Sequence, residues 1–77
     1  MASRLIYNVV RRPGGWAVEF DGQSLCCYRR QVEAVARARQ LGREGWCAGG
    51  APSEILVEVA TGRLHTEVVF GHDQAGA

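Results

Sequence analysis

The sequence contains no lysine: all nine of its basic residues are arginine, set against eight acidic residues, for a formal net charge of +1. A chain so close to neutrality has no global electrostatic attraction for nucleic acid, which favours strongly basic domains. No apolar stretch approaches the roughly 20 residues that a membrane-spanning helix needs, and residues 1–4 have no signal-peptide pattern. We therefore expect a cytoplasmic protein that does not contact the membrane.

The arginines are unevenly distributed along the chain. Residues 1–43 carry eight arginines and three acidic residues, whereas residues 44–77 carry Arg63 and five acidic residues. The absence of lysine is typical of a codon bias towards arginine. It is also compatible with a basic first half that makes bidentate contacts with phosphate or carboxylate groups.

Three cysteines, Cys26, Cys27 and Cys47, are an odd number, and neighbouring cysteines rarely bridge each other, so we expect free thiols. Zinc ligands normally come in pairs spaced by two to four residues, and Cys26 and Cys27 would point apart in an extended segment. Even with His65 or His72 as further ligands, we predict no metal site and no other cofactor.

Catalytic chemistry has little support in the sequence. A cysteine nucleophile, Cys47, with His65 as its base is conceivable, but no flanking signature accompanies it and a domain of this size has little room for a cleft. The glycines from Gly45 to Gly50 lack the lysine and the strand-loop-helix context of a phosphate-binding loop. We predict a protein without enzymatic activity.

Alternating patterns predict four strands in two hairpins. The first pair covers residues 4–10 and 16–20 around Pro13-Gly14, which suits the centre of a type II turn. The second pair covers residues 54–59 and 64–70 around a short turn that ends at Gly62. Residues 23–28 read as a connector that contains a potential extended stretch.

From about Arg30 the pattern changes to that of a helix. One face carries mainly small and apolar residues, which would let the helix lie close to a sheet: Ala34, Val35, Ala38, Leu41 and Gly42. No serine, threonine, aspartate or asparagine caps the start, and Gly42 and Gly45 predict the end. Residues 44–52 are then a loop, whose Trp46 either folds back on the core or stays exposed as an interaction anchor.

These elements predict a single α+β domain over residues 1–77, arranged β-β-α-β-β, with two antiparallel hairpins and one helix packed on one face of the sheet. The ordered part is expected over about residues 4–70, and residues 71–77 are expected to form a flexible tail. Seventy-seven residues are too few for two separate cores.

A single helix about 10 Å across cannot cover four strands that span about 14 Å. The second face of the sheet should therefore expose apolar residues among polar ones: Ile6, Val10, Ala17, Leu56 and Val69. Apolar patches of this kind mark partner surfaces. We predict association through this face, represented by Ile6, Val10, Leu56 and Val69, or through a sheet edge, most simply as a homodimer.

The second hypothesis is nucleic-acid binding through the basic first half. It would use Arg11 and Arg12 in the first turn and Arg29 and Arg30 before the helix, with Trp16 or Tyr28 stacking on a base. The alternative is that these arginines form a solvated surface and that Trp16 belongs to the core. Protein binding remains the first hypothesis; clustering of the arginines on one face would favour nucleic acid.

Several short segments resemble a bacterial family, the domain of unknown function 2188. They lie in both hairpins and on the helix: Asn8-Val9-Val10, Gly15-Trp16-Ala17-Val18, Glu33-Ala34-Val35, Ala38-Arg39, Glu54-Ile55-Leu56-Val57, Thr61-Gly62-Arg63-Leu64 and Phe70-Gly71-His72-Asp73. The resemblance covers about residues 7–73 and implies the hairpin-helix-hairpin layout and a bacterial source. It implies no activity, cofactor or catalytic residue. The chain departs from the family pattern by lacking a threonine or serine helix cap and by a longer loop over residues 45–52.

Overall fold

Six elements make up the computed structural model, which describes residues 4–71. In chain order they are β1 (Leu5–Arg12), β2 (Gly15–Phe20), β3 (Gln23–Tyr28), α1 (Gln31–Gly49), β4 (Ser53–Ala60) and β5 (Arg63–Phe70). The predicted α+β class is confirmed, with hairpins β1–β2 and β4–β5 on either side of the helix in sequence, but the sheet has five strands instead of four. Apart from Gly71, the tail predicted over residues 71–77 lies outside the described residues.

The additional strand is β3, in the segment read from sequence as a connector. It pairs antiparallel with β2, with Val18 opposite Cys26 and Glu19 opposite Ser24, so that Leu25 is left as a β-bulge. The bulge interrupts the alternation that identifies a strand in sequence. The β2–β3 turn is Asp21-Gly22, and both residues have positive φ, 54° and 80°, as a type I′ hairpin turn requires.

The strand order is β3-β2-β1-β4-β5. The central strands β1 and β4 are parallel, with Tyr7 opposite Ile55 and Val9 opposite Val57, and the crossover between them consists of β2, β3 and α1. Because β1, β3 and β4 run in the same direction, their carboxyl ends, the β1–β2 and β4–β5 turns and the start of α1 all lie at one end of the sheet. We call this the turn end.

The helix is longer than predicted. It starts at Gln31 as expected, where the Glu33 carboxylate accepts a hydrogen bond from the Arg30 backbone amide at 3.3 Å. It continues past Gly42 and Gly45 to Gly49, and the left-handed Gly50 (φ 69°) terminates it. The predicted end was therefore wrong, and residues 44–49, including Trp46 and Cys47, are helical rather than part of a loop.

The two internal glycines of α1 mark its closest approach to the sheet. A Cβ atom at Gly42 would lie 3.1 Å from Ile55 Cδ1, and one at Gly45 would lie 3.0 Å from Leu5 Cδ1. Glycine here accommodates neighbouring side chains rather than a change of backbone direction. This is why Gly42 and Gly45, which predicted the end of the helix, lie inside it.

The core lies between α1 and one face of the sheet. It is formed by apolar side chains of the three central strands and two helix alanines: Tyr7, Val9, Val18, Ile55, Val57, Ala34 and Ala38. The ring of Tyr7 stacks on that of Phe20 with centroids 4.9 Å apart. Ile6, Val10 and Ala17, which were expected on the second face, are not part of this cluster, but the expectation that Ala17 is exposed was wrong, since only 1% of it is accessible.

Side-chain alternation in β5 does not follow the sequence pattern. Val68 pairs with Ile55 and Thr66 pairs with Leu56, so Glu67 is an extra residue that forms a bulge. As a result Val68 and Phe70 lie on the helix side, whereas Leu64 and Thr66 lie on the opposite side. Simple alternation predicts one face for Leu64, Thr66, Val68 and Phe70 and the second face for His65; this prediction was wrong, and His65, opposite Val57, lies on the helix side.

Candidate functional site

The face of the sheet that points away from α1 carries all four residues of the predicted association face. We call it the open face, because no helix or strand among residues 4–71 packs against it. Ile6 and Val10 come from β1, Leu56 from β4 and Val69 from β5, which are three neighbouring strands. Ile6 is 40% exposed and the other three side chains are half-buried.

Asn8 lies in the middle of the open face, opposite Glu19 on one side and Leu56 on the other. Its side-chain oxygen Oδ1 is buried and has no hydrogen-bond partner among residues 4–71. Leaving a buried acceptor unpaired costs about 1–3 kcal/mol. The open face therefore combines aliphatic surface with a central amide whose buried oxygen is unpaired within residues 4–71.

Four of the charged side chains on the open face form two ion pairs. Arg4 forms an ion pair with Glu54 at 3.2 Å, and the same carboxylate accepts a hydrogen bond from Thr66 Oγ1 at 3.0 Å. On the other side of the face, Arg12 forms an ion pair with Glu19. Charges neutralised in this way suit contact with another protein surface better than contact with a polyanion.

The four arginines proposed for nucleic-acid contact all lie at the turn end. Arg11 and Arg12 end β1, and Arg29 and Arg30 connect β3 to α1. Of the four, Arg12 and Arg29 line a shallow pocket of about 230 Å³, together with Pro13, Gly14, Gly15, Cys27 and Tyr28. The sheet topology brings these residues together, although the pairs are far apart in sequence.

Two of these arginines are engaged within the chain. The guanidinium of Arg11 lies over the ring of Trp16, 4.9 Å from its centroid, and Arg12 pairs with Glu19. Trp16 itself packs against the core, so its ring is not free to stack on a base. Arg29 and Arg30, in contrast, form no ion pair within the described part of the chain.

An acidic group also lies at the turn end. The carboxylate of Glu58 accepts hydrogen bonds from the backbone amides of Arg11 at 2.8 Å and Gly62 at 3.0 Å. These two bonds, with the Arg11 bond contributing most, hold the pKa of Glu58 below its ordinary value. A charged carboxylate therefore joins the end of β1 to the β4–β5 turn and offsets part of the local positive charge.

The three cysteines are unbridged and lie in different surroundings. Cys26 packs against the core, and its hydrogen bond with Tyr28, together with burial, raises the pKa of that phenol. Cys27 is on the open face with its Sγ atom 4.0 Å from Ser24 Oγ, and Cys47 is exposed on the last turn of α1. Among residues 4–71, no three histidine, cysteine or acidic side chains are grouped as metal ligands would be.

Trp46 combines both of the arrangements considered from sequence. Its ring packs so closely on Gly71 that a Cβ atom there would overlap the indole, yet 39% of the residue is exposed. Trp46 thus packs at the end of the structure opposite the turn end, and part of it remains exposed to solvent.

Comparison with known proteins assigns the family. Residues 7–68 match a family described as "Uncharacterized protein conserved in bacteria (DUF2188)". The chain belongs to this family. Neither a curated protein nor a solved structure matches it. The DUF2188 description names no activity, so the surfaces described above are the basis for a functional proposal.

One further observation concerns membranes: α1, the helix of the described segment, is not long and apolar enough to cross one.

Two features of the candidate surfaces were not recognised from sequence. They are the unpaired oxygen of Asn8 and the two amide hydrogen bonds accepted by Glu58. Asn8 is the one polar residue in the run Leu5–Val10, and a polar residue inside an apolar central strand is a signal that could have been used. The hydrogen bonds of Glu58 depend on β1 being its neighbour, which no local pattern indicates.

Proposed function

We propose that this DUF2188 chain is a non-catalytic, cytoplasmic protein-interaction module whose open face pairs with a second copy of the chain. The observation that carries the proposal is the uncovered aliphatic surface of Ile6, Val10, Leu56 and Val69 around the unpaired oxygen of Asn8. Packing two open faces against each other would remove both aliphatic surfaces from water. A two-fold arrangement needs only one self-complementary surface.

The charges and size of the face support this occupant. Because Arg4–Glu54 and Arg12–Glu19 are neutral pairs, two copies can approach without strong like-charge repulsion. Five strands at about 4.8 Å and six residues at about 3.3 Å give a footprint of about 24 by 20 Å. This is below the roughly 800 Å² per partner of a standard interface, so we expect a reversible dimer.

Sedimentation velocity over a wide concentration range tests the proposal. The wild-type chain should shift from monomer to dimer as its concentration rises. Ile6→Asp should stay monomeric, because a carboxylate beside Glu54 would be buried in the interface, while its circular dichroism remains native. Val32→Asp is the matched control: Val32 is an exposed aliphatic residue on α1, on the other side of the sheet, and this variant should dimerise like the wild type. A monomer at every wild-type concentration, or an unchanged Ile6→Asp variant, would overturn the proposal.

A second candidate is nucleic-acid binding at the turn end, where Arg11, Arg12, Arg29 and Arg30 all lie and where Arg12 and Arg29 line one pocket. We propose fluorescence anisotropy with labelled single-stranded and double-stranded oligonucleotides at low salt as its test, since phosphate contacts weaken as salt rises. Binding that is lost in an Arg29→Glu, Arg30→Glu variant supports this function.

The control for the nucleic-acid test is Arg39→Glu, Arg43→Glu, which makes the same charge change on α1, away from the turn end. Absence of binding by the wild type contradicts the nucleic-acid function. Equal losses in the two double variants also contradict it, since they would reflect net charge alone.

A further inference from the structure

A groove of about 430 Å³ runs between α1 and β5 on the helix side of the sheet. One side of the groove is a stripe of helix residues three, four and seven positions apart: Val32, Val35, Ala36, Arg39, Gln40 and Arg43. Phe70 of β5 completes the lining. The groove is separated from the open face by the sheet itself. It was not recognised from sequence, where Val35 was assigned to the face of the helix that lies against the sheet.

The apolar residues that line the groove are unusually exposed. Val32 is 66% exposed, and Phe70 is half-buried with one edge of its ring near Gly42. Trp46 continues the stripe three residues after Arg43 and packs on Gly71 at the far end. An aliphatic side chain left this accessible beside an aromatic ring gives a ligand a place to bury apolar groups.

At Phe70 the groove borders an unpaired strand edge. In the order β3-β2-β1-β4-β5, strand β5 is outermost, so one side of its backbone has no neighbouring strand within residues 4–71. It is eight residues long and contains no proline. The opposite edge strand, β3, is shorter, at six residues; both edge strands carry a bulge, at Leu25 in β3 and at Glu67 in β5. A long unpaired edge is a template for pairing with another extended chain.

The rim of the groove is basic. Arg39 and Arg43 are exposed and form neither an ion pair nor a hydrogen bond within residues 4–71. The nearby carboxylate of Glu44 instead accepts a hydrogen bond from Gln40 at 3.3 Å. The rim therefore presents two unpaired guanidinium groups, which bind carboxylates in a bidentate geometry.

We infer that this groove binds an extended peptide segment of another protein, which pairs with β5 as a sixth strand. Alternate side chains of the segment would be apolar and enter the groove, and at least one acidic side chain would meet Arg39 or Arg43. Strand addition of this kind takes affinity from main-chain hydrogen bonds and specificity from alternate side chains. From residue 32 to residue 43 the helix rises about 17 Å, which matches about five residues of extended chain.

A second copy of the chain fits the groove less well than an acidic peptide does. Two-fold pairing of β5 with β5 would place both helices on the same side of one continuous sheet, with the arginines of both rims around a merged groove. No acidic residue lines the groove to offset them. The inference goes beyond the proposed dimer and uses a different surface.

Selection from a displayed library of random seven-residue peptides on the immobilised full-length chain tests the inference. The retained peptides should combine alternating apolar positions with an acidic residue. With the best peptide, amide chemical shifts of the ¹⁵N-labelled chain should change most over residues 63–70 of β5 and residues 32–43 of α1. Retention of no such pattern, or shifts confined to the open face or the turn end, would overturn the inference.

Matched variants make the test specific. Val32→Asp and Arg39→Glu should each weaken binding of the selected peptide by about tenfold or more, equivalent to about 1.4 kcal/mol. Arg37→Glu is the control, because Arg37 lies on the flank of α1 towards β3, where its charge acts on Tyr28, and it should bind normally. Equal effects of Arg37→Glu and Arg39→Glu would contradict the inference.

The outcomes for the groove and for the dimer are separable. Ile6→Asp should abolish dimer formation and leave peptide binding unchanged, whereas Val32→Asp should weaken peptide binding and leave dimer formation unchanged. If wild-type amide shifts in β5 change with protein concentration alone, the edge pairs with a second copy and the peptide inference is wrong.

Discussion

Gly15 lies directly against the backbone of Tyr28, so that a methyl group at position 15 would overlap the Tyr28 carbonyl oxygen. The contact joins the start of β2 to the end of β3. Because the obstacle is backbone rather than a flexible side chain, it cannot move without disturbing the β2–β3 pairing.

Gly15→Ala should therefore lower the free energy of unfolding by about 1–3 kcal/mol, the usual cost of overpacking. Gly49→Ala is the control: it lies in the last turn of α1 with nothing within 4 Å of the added atom, and it should be neutral or stabilise by up to about 1 kcal/mol. Urea unfolding measures both. Equal midpoints for the two variants would show that β3 is not held against Gly15.

The thiols should react with a disulfide reagent at two different rates. Cys27 and Cys47 are exposed, whereas Cys26 points towards the core, so two thiols should react rapidly and one slowly under native conditions. Cys26→Ser should remove the slow phase, and Cys27→Ser should remove part of the fast phase. If residues 23–28 were an irregular connector, Cys26 and Cys27 would react alike.

Glu58 should make stability depend on pH in the acid range. Its pKa is lowered by the Arg11 and Gly62 amide hydrogen bonds. A carboxyl group with a lowered folded-state pKa adds stability above its unfolded-state pKa and loses that contribution as the pH falls through the folded value. Glu58→Gln should thus be less stable than the wild type at neutral pH, and the difference should shrink in acid.

Urea unfolding from about pH 7 to about pH 3 measures this loss. Glu67→Gln removes the same charge from a carboxylate that accepts no hydrogen bond within residues 4–71, and it should follow the wild-type pH dependence. A Glu58→Gln variant with the wild-type pH dependence would show that the two amide bonds do not stabilise the turn end.

Because α1 packs closely on the sheet, stability should fall when the side chain at one buried helix position is enlarged. Ala38 is fully buried between α1 and the sheet, so Ala38→Leu should lower the free energy of unfolding by about 1–3 kcal/mol. Ala36→Leu makes the same change at an exposed position of α1 and should stay within about 0.5 kcal/mol of the wild type. Thermal unfolding of the two variants compares them, and similar melting temperatures would contradict the packing described here.

The parts of the fold that were predicted from sequence are those with an undisturbed local period. Alternation in β1 and β2 identified the first hairpin and its core side, and helical spacing identified Ala34 and Ala38 as buried. The errors occur where one residue breaks the period. Leu25 and Glu67 are bulges, which obscured β3 and reversed the facing of the first half of β5.

The candidate surfaces depend on strand order, which local patterns do not contain. Ile6, Val10, Leu56 and Val69 were assigned to one face because alternation in three separate strands put them there, and they do share it. Arg12 and Arg29, in contrast, line one pocket because β1 and β3 run in the same direction and end at the same end of the sheet. The α1–β5 groove depends on β5 being outermost, although the spacing of Val32, Ala36, Arg39 and Arg43 was visible in the sequence.

The parallel pairing of β1 with β4 also determines how the chain could be divided. The two central strands are joined by main-chain hydrogen bonds but separated in sequence by β2, β3 and α1. A break in the connection between Gly50 and Pro52 would leave one piece with the edge of β1 bare and another with the edge of β4 bare. Each piece would supply the strand that the other needs, so the two halves should reassemble when mixed, and this connection is a natural place to build a split reporter.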